Sequence, residues 1–261
     1  KKYPLARPSI GREEITNIIK VLHSGILSLG NFAKRFENEF ARKIGTRYAC
    51  VVSSGTAGLH LALLVAGIKN GDEVITTPFS FVASANSILN VGARPVFVDI
   101  EPDTYNIDPE KIEKATTSKT KAILVVHIFG QACDMTPILK IAKKHNLKVI
   151  EDACESLLAE YKGRKIGTFG ESAVFAFYPN KQITTGEGGM IVTDDEDLYH
   201  MLLKVRAHGW DRNLPTKRQN TLRLIHNIND FFAHYTFYDL AYNARPTEIS
   251  GFLGNTQIRY W

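Results

Sequence analysis

Apolar positions along the chain change their period repeatedly. Between Arg12 and His23 they fall at Ile15, Ile18, Ile19 and Leu22, one face of an amphipathic helix that Gly25 ends. Asn31 can cap a second helix, in which Phe32, Phe36, Phe40 and Ile44 keep helical spacing up to Gly45. Short apolar runs rich in Val and Ile follow. They predict strands over 48–53, 73–77, 94–99, 121–127, 147–151, 172–177 and 190–193. Helical spacing over 59–66, 80–91, 109–115, 136–145 and 196–207 fills most of the gaps. Buried strands alternating with helices predict an α/β fold: a three-layer α/β/α arrangement around a mostly parallel sheet of about seven strands. In such sheets ligands sit beyond the carboxyl ends of the strands. Thr56, Phe81, Asp152 and Lys181 all fall just past predicted strand ends.

The alternation stops at His208. Residues 210–220 are polar and basic, and 231–242 concentrates Phe231, Phe232, Tyr235, Phe237, Tyr238 and Tyr242. That run reads as core or a subunit interface rather than a base-stacking surface. A helix with small residues is predicted over 249–258. There is no internal repeat and no low-complexity segment.

Composition narrows the class. The 261 residues suffice for one large domain, or one domain and part of another. With 44% hydrophobic and 23% charged residues, a soluble globular protein is expected. No apolar run approaches the roughly 20 residues that span a bilayer. Residues 1–8 carry charge without an apolar core, so they do not read as a signal peptide. A cytoplasmic protein without membrane contact is the default expectation. Cys50, Cys133 and Cys154 are odd in number and form no CxxC pair, so they are expected as buried thiols, with no metal site and no disulfide. The net charge of +5 suits an anionic small molecule. Basic residues are not interleaved with aromatics, so no nucleic-acid partner is expected.

Three stretches then carry chemistry. Ser54-Gly55-Thr56-Ala57-Gly58 joins a strand to a helix start, whose free amides and positive dipole favour phosphate. Alone, it fits a plain N-cap equally well. Lys181 follows Pro179 and precedes Thr184, Thr185 and a glycine-rich turn. A lysine among apolar, β-branched and glycine residues loses hydration and becomes a usable nucleophile, although most lysines are simply solvated. Asp152 closes the run Ile150-Glu151-Asp152-Ala153 and could be a helix cap or a surface carboxylate. Together the three match the needs of pyridoxal phosphate. The phosphate sits on the Gly55-Thr56-Ala57 turn, Phe81 stacks on the ring, Asp152 pairs with the protonated ring nitrogen, and Lys181 forms the Schiff base.

Residues 53–60 (SSGTAGLH), 77–84 (TPFSFVAS), 151–155 (EDACE), the Lys181 stretch and 242–248 (YNARPTE) resemble the DegT/DnrJ/EryC1/StrS family of sugar aminotransferases, which have the fold-type I, aspartate-aminotransferase-like fold. The resemblance runs in order through nearly the whole chain. It implies that Gly55, Thr56 and Ala57 bind the phosphate, that Phe81 and Asp152 hold the ring, and that Lys181 is the catalytic lysine. It also implies that Glu155 lies beside cofactor or substrate, and that Asn243 and Arg245 reach the phosphate or substrate of a neighbouring subunit. A homodimer with shared active sites follows. The implied reaction loads the cofactor as pyridoxamine phosphate from an amino acid, glutamate, and passes the amine to a nucleotide-linked keto sugar, chiefly a 4-keto-6-deoxy sugar. This serves surface-polysaccharide or amino-sugar synthesis. In the dehydratase branch of the family a histidine replaces the lysine, and a non-catalytic regulator is the other alternative. Two departures stand out: Ala176 occupies a position where many members carry a phosphate-binding serine, and 208–242 is longer and more aromatic than usual. Family chains also close with a smaller C-terminal domain. The resemblance therefore divides the chain into a pyridoxal phosphate-binding large domain, 1–245, and the start of a largely absent small domain, 246–261.

Overall fold

Helix α1 (Arg12–His23) and helix α2 (Asn31–Ile44) precede the sheet. Strand and helix then alternate: β1 (Tyr48–Val52), α3 (Gly55–Val65), β2 (Glu73–Thr76), α4 (Ala83–Asn90), β3 (Arg94–Phe97), α5 (Pro109–Ala115), β4 (Thr120–Val126), α6 (Met135–His145) and β5 (Lys148–Asp152). A small hairpin, β6 (Glu160–Tyr161) and β7 (Arg164–Lys165), comes before β8 (Ser172–Ala176), β9 (Gly189–Thr193) and α7 (Glu196–Val205). Two short helices, α8 (Thr216–Ile225) and α9 (Asp230–Ala233), and then α10 (Glu248–Gln257) complete the order. These assignments come from a computed structural model that describes residues 6–261.

The seven-stranded sheet has the order β1-β9-β8-β5-β4-β2-β3. Every pairing is parallel except those of β9, which runs antiparallel to both β1 and β8. Alternate residues of each strand bury themselves on opposite faces, as the two-residue period of a strand requires. Cys50, Leu124, Ile150, Val174 and Ile191 pack with α3, α4 and α7, whereas Val51, Val125, Val149, Phe175 and Met190 face the side of α2, α5 and α6. The result is the three-layer α/β/α architecture expected from the alternation. The carboxyl ends of β1, β2, β4, β5 and β8 share one edge because these strands run in the same direction.

Two expectations are corrected and a third is narrowed. In α1, Val21 and Glu14 turn inward, while Ile15, Ile19 and Leu22 are exposed. The spacing identified a stripe but could not say which neighbour, if any, covers it. Asn31 does not cap α2. The cap position is Gly30, and the carboxylate of Glu248 accepts the amides of Gly30, Phe32 and Ala33 at 2.8–2.9 Å. A cap supplied by a residue more than two hundred positions away has no local signature. Helix α10 thus docks on α2, with Phe252 edge-on to Phe32. Finally, of the two readings of the aromatic run after His208, core does not hold for most of it: Phe231, Phe232, Tyr235, Phe237 and Tyr242 are all exposed, which leaves the subunit interface. Helices α8 and α9 lie on the surface, and only Ala233 of the two is buried. Among the described residues no helix is long and apolar enough to cross a membrane.

Candidate active site

A cavity of about 350 Å³ opens at the carboxyl edge of the sheet. Gly55, Thr56, Phe81, Asp152, Glu155 and Lys181 all line it. They come from connections after β1, β2, β5 and β8, so tertiary folding joins residues spread over 126 positions of chain.

Its floor is the start of α3. Ser54 is the N-cap, and its Oγ accepts the Ala57 amide at 3.1 Å. Ala57 is therefore engaged with its cap and is not a lining residue. The amides of Gly55 and Thr56, the first two of the helix, have no acceptor within it, and both residues line the cavity, so this helix start suits an anion. The turn is wedged against the sheet. A Cβ on Gly55 would come within 2.6 Å of the Ala176 Cβ, and one on Gly189 within 2.5 Å of the Ser54 carbonyl oxygen. Both positions require glycine for close approach. Ala176 itself lines the cavity, so the departure from serine lies beside the helix start. The Arg206 guanidinium braces this region from below, bonding Glu37 Oε1 at 2.6 Å and the Val51 carbonyl at 2.7 Å.

Asp152 ends β5 and is only 6% exposed. Its Oδ2 accepts Ser84 Oγ–H at 2.7 Å, and its Oδ1 accepts the Cys154 amide at 3.2 Å. Ser80 Oγ lies 2.7 Å from Ser84 Oγ. Since Ser84 has one proton, already donated to Asp152, the bond runs from Ser80 to Ser84 to Asp152. Among the described residues no Lys, Arg or His forms an ion pair with Asp152. A buried carboxylate without a cation is costly, and a protonated ring nitrogen entering the cavity would supply one. Phe81 lies on the loop before α4 rather than inside a helix, because α4 starts at Ala83. Its ring is 74% exposed at the cavity, an open surface for a planar group.

Lys181 sits in the connection between β8 and β9. Thr184 Oγ and the Thr185 amide both bond the Phe177 carbonyl, Phe177 N bonds the Gly188 carbonyl, and Gly186 takes a φ of 82°. The two threonines and the glycine turn noted in the sequence close this loop on itself. The lysine is less isolated than its sequence neighbours suggest: Nζ is 3.3 Å from Glu155 Oε1. Asn243 and Arg245 lie elsewhere. Arg245 Nε donates to Asn243 Oδ1 at 3.0 Å, and neither residue lines the cavity of its own chain.

Sequence reading missed Ser84, Ser80 and the pair His127–Glu151. The two serines are four positions apart in the sequence, and Ser80 lies on the loop before α4. His127 Nδ1 accepts the Cys133 amide, so its proton is on Nε2, which donates to Glu151 Oε2 at 3.2 Å. Glu151 also accepts the amides of Gly167, Phe169 and Gly170 at 2.8–2.9 Å. Burial alone would raise its carboxyl, but His127 and these glycine amides more than offset that and hold it below the ordinary value. Cys50 and Cys133 are buried, as expected, and burial raises the Cys50 thiol to about 12. Cys154 is only partly buried and lines the cavity, although burial of its thiol also raises it.

The residues present fit a group that is flat, phosphorylated at one end and cationic in its ring. Helix amides stand at one side, an aromatic face and an unpaired carboxylate at the centre, and an amine within the same cavity. Residues 8–261 match the model of the DegT/DnrJ/EryC1/StrS aminotransferase family. The chain belongs to this family. It is 44% identical over 98% of its length to an uncharacterised protein of Methanocaldococcus jannaschii, and 42% identical over 97% to the GDP-perosamine synthase of Caulobacter vibrioides. A crystal structure of a GDP-4-keto-6-deoxymannose-3-dehydratase mutant with bound GDP-perosamine superposes with a TM-score of 0.91 at 37% identity, covering 99% of this chain and 68% of that one. The chain spans 64% of the length of each of the two sequence relatives.

Proposed function

We propose that the protein transfers an amino group from glutamate to a nucleotide-linked keto sugar, chiefly a 4-keto-6-deoxy sugar, with pyridoxal phosphate as cofactor. The observation that carries this reading is the convergence of Lys181 and Asp152 on one cavity floored by the start of α3. When bound, pyridoxal phosphate supplies an electron sink next to the carbon that exchanges the amine. The amides of Gly55 and Thr56 bind its phosphate, with no hydroxyl contribution from Ala176. Asp152, oriented by Ser84 and Cys154, faces the ring nitrogen and keeps its proton in place. Phe81 covers one ring face and excludes water. Lys181 would hold the cofactor through its amine, and its Nζ is the group in the cavity that could take up and return a proton. Glu155, within reach of Lys181, borders cofactor and substrate. The name of the Caulobacter relative, GDP-perosamine synthase, matches this chemistry and supports a nucleotide-diphosphate sugar as the acceptor.

Asn243 and Arg245 act in this reading on the active site of a second copy, which makes the working protein a homodimer with shared sites. The cofactor-binding unit is taken as 1–245, with a second unit starting at 246. A cytoplasmic site of action goes with nucleotide-sugar substrates.

The test is spectral and then chemical. Adding pyridoxal phosphate should produce a visible absorption band that glutamate shifts and Lys181→Ala abolishes. Incubation with nucleotide 4-keto sugars and glutamate should give a product carrying an amine. No band from the purified protein would end the reading. A product that has instead lost an oxygen would favour sugar dehydration, which the likeness to a dehydratase keeps in play. Lys181 weighs against that branch, where a histidine stands in its place. A bound cofactor with no response to glutamate would favour a regulatory protein.

A further inference from the structure

The cavity lysine is held from another connection. Glu155 Oε1 contacts Lys181 Nζ, and the other oxygen of that carboxylate, Oε2, accepts the Phe129 amide at 3.2 Å. Phe129 has φ 52° and ψ 24°. This left-handed region is disfavoured for a bulky residue that cannot bond its own backbone. Its ring is 74% exposed, so burial of the ring does not account for the conformation. Strain of this kind persists where the surroundings impose it, and such places cluster at functional sites.

Besides the Gln131 amide bond to the Ile128 carbonyl, one buried side chain holds this loop. Asn106, in the connection after β3, is 1% exposed. Its Oδ1 accepts the Ile128 amide at 3.1 Å, and its Nδ2 donates to the carbonyls of Gln131 and Ala132 at 3.2 Å each. These three bonds grip the 128–132 loop on both sides of Phe129. A clamp on Ile128 and on Gln131–Ala132 leaves the intervening peptide little freedom, and the Phe129 N–H is thereby aimed at Glu155.

We propose that Asn106 is a positioning residue for the amine of Lys181. It shapes the 128–132 loop so that Phe129 N anchors the Glu155 carboxylate, and that carboxylate holds the lysine. The relevance of this arrangement to catalysis rests on the proposed role of Lys181, but the contacts themselves do not involve a cofactor. Asn106 forms no hydrogen bond to the lysine and does not line the cavity, so it acts through the loop it holds, where the Phe129 amide meets Glu155.

The test uses the cofactor-free protein. Lys181 is acylated with an amine-reactive reagent at fixed pH, and its rate is followed by peptide mass spectrometry. An amine engaged by a carboxylate is withheld from the reagent. Glu155→Gln and Asn106→Ala should each speed labelling about two- to fivefold, the range for loss of a partly exposed ion pair. In the Glu155→Gln background Asn106→Ala should add nothing, because the two act in series. An unchanged rate in Asn106→Ala, or the same acceleration with and without Glu155, would overturn the proposal. Should Asn106→Ala not fold, as judged by thermal melting, Phe129→Val and Phe129→Gly give the same information at an exposed position. Both remove the ring, but glycine accepts the left-handed backbone and valine resists it. Glycine should keep the slow labelling and valine lose it; equal rates for the two would count against the anchor. Failure of pyridoxal phosphate to give a visible band would end the cofactor reading and leave these rates standing. Normal band formation with unaltered labelling would end this proposal alone.

Discussion

Glu151 and Asp152 are adjacent carboxylates on one strand, and they point to opposite faces of the sheet. Glu151 is sealed in: His127 and three backbone amides use both of its oxygens, and none of its surface reaches solvent. Among the described residues Asp152 accepts Ser84 Oγ–H and the Cys154 amide, forms no ion pair, and borders the cavity. The same functional group is thus closed on one face and left incomplete on the other. A completed carboxylate ties the 166–170 turn and the end of β4 to β5. An incomplete one is available to a ligand. Burial alone does not separate the two roles; the count of donors already supplied does.

This contrast can be broken by substitution. Asp152→Asn should lower the proposed amine transfer by about 10²- to 10³-fold, the scale for removing one preorganised electrostatic partner from an active site, with little change in melting temperature. Steady-state rates and a thermal melt check both halves, and a large fall in stability would erase the distinction. Glu151→Gln should do the reverse and cost about 3 kcal/mol of folding stability, because the amide NH₂ then faces backbone N–H donors. Urea unfolding measures it. Any remaining folded protein should still bind cofactor.

Acid offers a gentler probe of the same residue. The folded-state value of Glu151 is depressed below its ordinary 4.5. Its contribution to stability is therefore fully present above that value and is lost as the pH falls through the lower, folded-state one. Stability measured from pH 7 downward should show this loss in the native protein and lack it in Glu151→Gln. On the cavity side, Ser84→Ala removes one hydrogen bond to Asp152 and should reduce the rate by about tenfold, less than loss of the charge itself. The smallest effect is expected from Ala176→Ser, a gain of about threefold in cofactor affinity from one added hydroxyl beside the helix start, read by titration of the visible band.

Much of the cavity could be read from the chain in advance because its parts follow local rules. A strand that runs into Ser54-Gly55-Thr56 and then an apolar helix makes an anion site wherever it occurs. Strands in one direction bring Thr56, Phe81, Asp152 and Lys181 to one edge without further information. The parts that escaped depend on partners distant in sequence. Glu248 caps α2, Asn106 grips the loop of Phe129, and Glu155 meets Lys181, and none of these pairs has a periodic or spacing signature. The aromatic run after His208 could be narrowed only by the structure, which rules out core for most of it and leaves an interface. Hydrophobic residues there suggest burial, but burial needs a covering layer, and 231–242 is mostly exposed in this chain.

Amino-acid order, through strand and helix periods and the handful of turn residues between them, specified the α/β class, the ligand edge and the identity of the groups that meet there. Folding in three dimensions selected which of two neighbouring carboxylates stays open, which lysine contact exists, and which apolar stripe remains uncovered. Periodicity reports the direction of a side chain relative to its own backbone. The number of donors that finally surround it depends on segments tens or hundreds of residues away, and only packing brings those together.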